Sequence, residues 1–278
     1  MKKSLFFLLA ILTTILAVDA TAQPKFKRNK PVEPDYHIDE VVSPPGLTEQ
    51  VIHHKGYTVS YNSNLLIPNW VAWELTAEEA SAQIASRTDQ FLPDPAVKGK
   101  QADTRDYSNS GYDRGHMAPA ADMKWDAQAM VESFYMTNQC PQSKELNEGL
   151  WLELEQKCRW WAKKWGKVWI VCGPIFVRGE AKAIGENEVA VPDAFFKCVA
   201  MKVKDKSGER YTCAAFVLPN INCTGDLSGY LFQVASIEAV TKYKIFSNIP
   251  IAPDDLWALK IVVTESDWEI PGWKSNNQ

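Results

Sequence analysis

The chain has 278 residues, of which 46% are hydrophobic and 23% charged, a balance that fits a folded globular protein and excludes a low-complexity polymer. With 30 basic against 34 acidic residues its formal charge is −4. Its overall field therefore repels a polyanion, and any nucleic-acid contact has to come from a local basic groove.

Lys2 and Lys3 precede an apolar run from Leu5 to Val18, and the small triplet Ala20-Thr21-Ala22 follows. This reads as a secretory signal peptide over residues 1–22, and it carries the expectation of a secreted or periplasmic protein. Residues 23–50 are rich in proline and charge and show no helix or strand period, so they are expected to form an extended arm or linker. The basic start of that arm, Lys25, Lys27, Arg28 and Lys30, reads as a solvated tail. One domain is expected over residues 51–278, with its folded part beginning near Tyr57.

Tyr57 to Tyr61 and Trp70 to Leu75 alternate as strands, and Thr76 with Glu79 makes a capping box for a short helix through Ala85. Residues 168–177 have the apolar continuity of a buried strand, and 195–204 and 210–218 flank the turn Asp205-Lys206-Ser207-Gly208 as a hairpin. A helix is expected from Tyr230 to Lys242. Helices and hairpins alternate irregularly, with no repeated strand-helix-strand unit, which points to an α+β fold on antiparallel sheet.

The six cysteines at 140, 158, 172, 198, 213 and 223 allow fifteen disulfide pairings, with Cys198 and Cys213 nearly opposite across the expected hairpin. Three of the six sit in apolar strands, where a free cysteine behaves as a small hydrophobe. Zinc is not expected, because no Cys-x-x-Cys spacing exists and His37, His53 and His54 are not placed with the cysteines.

The chemistry concentrates between Asp113 and Arg159, in DRGHM at 113–117, TNQCPQ at 137–142 and LNEGLWLELE at 146–155. A histidine near neutral pKa removes a proton from water, oxygen donors hold a hard metal ion, and arginines neutralise phosphate oxygens. Glu155 and Arg159 are four apart, so on a helix they share a face and can pair. Asn147 and Glu155 are eight apart, about 12 Å on a continuous helix, so direct ligation of one ion by both is not expected. In RWWAKKW at 159–165, Trp161 and Trp165 join Trp151 and Cys158 in an apolar stripe at helical spacing, and core packing is expected over base stacking.

These motifs, together with GPIF at 173–176 and VPDAFFK at 191–197, resemble the DNA/RNA non-specific endonuclease family. The resemblance implies a ββα-metal (His-Me finger) fold, with a central antiparallel sheet flanked by helices. It implies His116 as general base and Asn147 as metal ligand, with Glu155 holding a water of the same ion. The ion is expected to be magnesium, with manganese as the alternative. Arg87, Arg114 and Arg159 are expected at the substrate phosphate, Asp113 as the residue orienting the loop, and Asn138 as a brace for the histidine loop. The implied substrates are DNA and RNA, cut with low sequence preference to leave 5′-phosphate ends. Two other readings stay open: a phosphodiesterase of small nucleotides, and a catalytically silent nucleic-acid-binding protein.

Overall fold

The structure, a computed structural model, describes residues 41–177, 181–206 and 208–249. The expected signal peptide and the basic start of the arm lie outside the described residues. The end of that arm supplies two strands, Val41–Val42 (β1) and Gln50–His53 (β2). Thr58–Asn62 (β3), Ile67–Thr76 (β4) and the helix Ala77–Ser81 (α1) follow. Next come Asp113–His116 (β5), Ala127–Glu132 (α2) and Gln139–Gln142 (β6), then the helices Lys144–Asn147 (α3) and Leu150–Trp165 (α4). The second half holds Lys167–Ile175 (β7), Lys182–Ile184 (β8), Val189–Val191 (β9), Ala194–Asp205 (β10) and Gly208–Pro219 (β11). Leu231–Phe232 (β12), Val234–Thr241 (α5) and Lys244–Ile245 (β13) complete the described elements.

Seven strands make one antiparallel sheet in the order β12-β11-β10-β7-β4-β3-β2. Strand alternation divides its side chains between two cores. Trp73, Leu75, Ile170, Cys172, Phe195 and Val199 face one core, together with Trp151 and Leu154 of α4. Their neighbours Ala72, Val171, Phe196 and Cys198 face the other, together with Ile237 of α5. The α+β architecture with a central antiparallel sheet is thus built from runs apolar on both faces. A separate two-stranded ribbon, β5 against β6, lies on the α4 side and carries the DRGH residues.

Several local expectations are corrected by tertiary contacts. The capping box at Thr76 and Glu79 forms, but α1 stops at Ser81 because the N–H groups of Ile84 and Ala85 donate to the Lys124 carbonyl, both at 2.9 Å. The helix expected from Tyr230 starts only at Val234, since Leu231 and Phe232 pair with Phe216 and Ala215 at the sheet edge. It ends on Lys242 at φ 61°, the left-handed position that glycine usually fills. The hairpin register sets Cys198 opposite Ala215 and Cys213 opposite Ala200, two residues off the expected pairing, and none of the six cysteines is in a disulfide.

The segment 144–165 is two helices rather than one. The chain breaks at Gly149, where a Cβ would run into the Glu145 carbonyl oxygen, so only glycine lets α4 start so close to α3. The buried face of α4 is Trp151, Leu154, Glu155, Cys158 and Ala162. Of the expected stripe, Trp151 and Cys158 are core, Trp161 and Trp165 are half-buried and pack against that core, and Trp160, off the stripe, is 48% exposed.

Candidate active site

The β5–β6 ribbon places the histidine. Gly115 sits opposite Cys140 and against Gln142, whose side chain a Cβ at Gly115 would strike. Alternation along β5 then sends Arg114 and His116 to one face. Both lie on Phe91: the Arg114 guanidinium is 4.5 Å above that ring, and the His116 ring is 5.6 Å from it. Phe134 meets His116 edge-on at 4.9 Å and holds the Arg87 guanidinium 5.0 Å over its own face. Two phenylalanines, themselves 5.2 Å apart, therefore gather Arg87, Arg114 and His116 into one wall. Arg87 is half exposed and pairs with Asp89.

His116 is 9% exposed, and its Nε2 is sealed from solvent without a hydrogen-bond partner. Burial is the main cause that pushes its pKa down to about 3, with the positive charges of Arg87 and Arg114 adding to it. The ring is thus held neutral. Its backbone carbonyl accepts the indole N–H of Trp151 at 3.2 Å, which ties the strand to α4. Asn138 is fully buried and clamps the chain just beyond the histidine. Its Oδ1 accepts from the Ala118 N–H at 2.9 Å, and its Nδ2 donates to the carbonyls of Ala118 and Ser133, each at 2.8 Å.

Asn147 ends α3, which Ser143 caps through the Leu146 N–H. Its Nδ2 donates to Asp113 Oδ2 at 3.0 Å. A carboxylate only accepts, so this bond fixes the amide orientation and leaves Oδ1 as a neutral oxygen donor. Among the described residues no hydrogen bond reaches that oxygen. Nor do three or more His, Cys, Asp or Glu side chains converge as a metal cluster among them.

Glu155 is buried on α4, and burial raises its pKa to about 7, against the lowering pull of Lys197, Arg159 and Arg87. Arg159, expected to pair with Glu155, instead donates Nη1 to Asp122 Oδ1 at 2.8 Å, and the Trp73 indole donates to the other Asp122 oxygen at 3.0 Å. Asp122 is fully sealed and reaches this place on the short turn Ala120–Asp122, so it outcompetes the neighbour on the same helix.

Sequence reasoning gave no role to Lys197, which has 0% exposure and a Nζ without a hydrogen-bond partner. It lies between Trp151 and Trp73, 4.2 and 5.1 Å from their ring centres, and its charge acts on both Glu155 and Asp122. The alternation Phe195, Lys197, Val199 on the α4 face of β10 is the signal that could have found it. The residues expected at the site thus fall into three sets, with Asn138 bracing the first from behind: Arg87, Arg114 and His116 on the phenylalanine wall, Asp113 with Asn147, and Glu155 and Arg159 on α4. Arg87 acts electrostatically on both His116 and Glu155.

Residues 37–252 match the model of the DNA/RNA non-specific endonuclease family. The chain is 37% identical over 196 residues to the mitochondrial nuclease EXOG of Danio rerio, covering 66% of this chain and 57% of the relative. It is 34% identical over 227 residues to the mitochondrial nuclease of Saccharomyces cerevisiae, covering 74% and 68%. The chain therefore spans little more than half the length of the zebrafish relative. Among solved structures it is similar to one of the EndoG/EndoGI complex, with a TM-score of 0.67 and 29% identity over 74% of this chain and 89% of that chain. These relatives are named mitochondrial, which overturns the secreted or periplasmic placement expected from the N-terminal sequence. No helix among the described residues is long and apolar enough to cross a membrane.

Proposed function

Since the chain belongs to the DNA/RNA non-specific endonuclease family, we propose that it hydrolyses phosphodiester bonds in DNA and RNA with a divalent ion, with His116 as the general base. The observation that carries this reading is the neutral, buried His116 held on the same wall as two arginines. Neutral imidazole accepts a proton from the water that attacks phosphorus, and burial beside two arginines favours that neutral form while making the ring a weaker base. Nε2 is sealed from solvent, so the base role falls to Nδ1, which requires the ring's own proton to sit on Nε2.

Arg87 and Arg114 approach the phosphate from the faces of Phe134 and Phe91, where the rings limit their motion while leaving their donors forward. Arg159 is committed to Asp122, so its part is to hold the α4 end of the site in shape and to add positive potential. Asn138 and Trp151 fix the backbone on either side of the His116 ring. Asp113 orients Asn147.

The residues fit a hard divalent ion: an amide oxygen that no hydrogen bond among the described residues reaches, and a buried carboxyl on α4 whose pKa burial raises even with Lys197, Arg159 and Arg87 nearby. Asn147 Oδ1 would hold it, with Glu155 beside it, in keeping with magnesium's preference for few protein ligands. When bound, that ion would offset charge on the phosphoryl group and the leaving 3′ oxygen, giving 5′-phosphate products. Low sequence preference follows if contacts go to phosphate and sugar.

Nicking of supercoiled plasmid by the purified chain, with magnesium, manganese or chelator, tests the reading. Cleavage that needs the ion and leaves ends ligatable as 5′-phosphates is expected. A folded protein inert toward DNA and RNA with every divalent ion would sink it.

A further inference from the structure

The tryptophan-rich end of α4 is not absorbed by this chemistry. Between it and the β10–β11 hairpin lies a cleft of about 450 Å³, with Trp160, Trp161 and Trp165 on one wall and Lys157, Lys164 and Arg210 around it. Its floor is apolar, formed by Met201, Val203 and Ala214 on the α4 face of the hairpin. Trp161 is stacked on Phe216 at 6.3 Å and 27°, which holds one indole plane fixed. The two lysines lie over the indoles: Lys157 Nζ is 4.8 Å from the Trp160 centre, and Lys164 Nζ is 4.7 Å from Trp160 and 4.6 Å from Trp165.

Two features select the occupant. Flat, partly exposed indoles beside ammonium groups suit ligands that have both a π face and a negative charge. Among the described residues no acidic side chain lines the cleft, in a chain whose net charge is −4, so the local positive sign runs against the whole. The same helix carries Glu155, six residues before Trp161 and about 9 Å away along the axis.

We propose that this cleft is a second nucleic-acid site, which takes a single-stranded segment of the substrate outside the cleavage centre. Bases stack on Trp160 and Trp161, and phosphates meet Lys157 and Lys164. The inference rests on the nuclease reading for its biological sense, but its binding can be measured apart from cleavage.

The test uses the full chain with His116→Ala, so that binding is read without cutting, and an oligothymidylate of about 20 nucleotides as probe. Trp160 is largely exposed, so Trp160→Ala should fold, and Lys157→Gln with Lys164→Gln makes a second, independent variant. Each is expected to weaken binding roughly tenfold at low salt, and the lysine pair to flatten the salt dependence by roughly one to two counterions. With His116 intact, both variants should cut a short duplex at the unaltered rate. Unchanged affinity and salt slope in both variants would overturn the site. Equal weakening toward polyglutamate would overturn it in favour of acidic peptides, and a dimer of the parent chain that Trp160→Ala dissolves would make the cleft an interface between copies. Failure of the intact chain to cut any substrate would remove the nuclease reading and leave the binding result standing.

Discussion

The indole N–H of Trp151 donates to the backbone carbonyl of His116 at 3.2 Å, so the helix bearing Glu155 and Arg159 and the strand bearing the histidine are one hydrogen-bonded unit. Trp151 is also fully buried and packs on Phe195 at 5.6 Å. One side chain thereby sets the distance between the proposed base and the proposed metal side of the site.

Trp151→Phe keeps most of that packing and removes the donor. A loss of about 1–3 kcal/mol in stability is expected, from a buried carbonyl deprived of a partner, and chemical denaturation measures it. Because the histidine strand is loosened, kcat should fall more than KM rises. A variant as active and as stable as the parent would show that the bond does not position His116.

The Asp113–Asn147 contact makes a different statement. Asp113→Ala leaves the Asn147 amide free to rotate, so its nitrogen can take the place of the oxygen donor. Apparent affinity for magnesium is expected to fall roughly tenfold or more, the size found for residues that orient metal ligands. Titration of cleavage against magnesium gives the number. Asp113→Asn should fall between the two, since its side-chain oxygen can still accept from Asn147.

Glu155 links the site to pH. Its folded pKa of about 7 lies above the unfolded value of about 4.5, so between these limits the folded chain keeps a proton that the unfolded chain has lost. Its contribution is favourable below about pH 4.5 and is lost as pH rises through 7. In chelator, Glu155→Gln should therefore gain on the parent by roughly 3 kcal/mol between pH 4.5 and 8. Adding magnesium at pH 8 should stabilise the parent more than the variant, which keeps Asn147 but lacks the carboxylate. Parallel stability curves for the two proteins would refute the buried, proton-holding acid.

Much of this was legible beforehand, and the exceptions share a cause. The DRGH box, the capping box at Thr76 and the long strands are local patterns, readable because each residue's role depends on close neighbours in the chain. Phe134 and Lys197 take their roles from residues far away in sequence: strand alternation puts Lys197 on the α4 face of β10, but nothing local says that Trp151 and Trp73 enclose it there, or that Phe134 meets His116 and Arg87. Along the α4 stripe, helical spacing says which residues share a face, and not how far the facing sheet extends, so Trp151 and Cys158 are buried while Trp161 and Trp165 are only partly covered. At Trp161 and Trp165 the covering layer gives out, and the cleft remains.

Lys197 gives a test of that long-range charge. Lys197→Met fills the same slot between Trp73 and Trp151 without the cation that holds the Glu155 and Asp122 carboxyls down. If Glu155 acts ionised, activity should rise with pH through its pKa of about 7, and in Lys197→Met that rise should move upward, which the pH-rate profile reads directly. Lys197→Arg should restore the profile in part if charge is what matters. An unchanged profile in Lys197→Met would reduce the residue to core packing.

The general-base role of His116 is the central claim, and chemical rescue tests it most directly. His116→Ala opens a space between Phe91 and Phe134 of the size of the lost ring. Plasmid nicking by this variant should fall roughly 10²–10⁴-fold, and added imidazole should recover part of the loss. Nicking at the parent rate without imidazole would contradict the account.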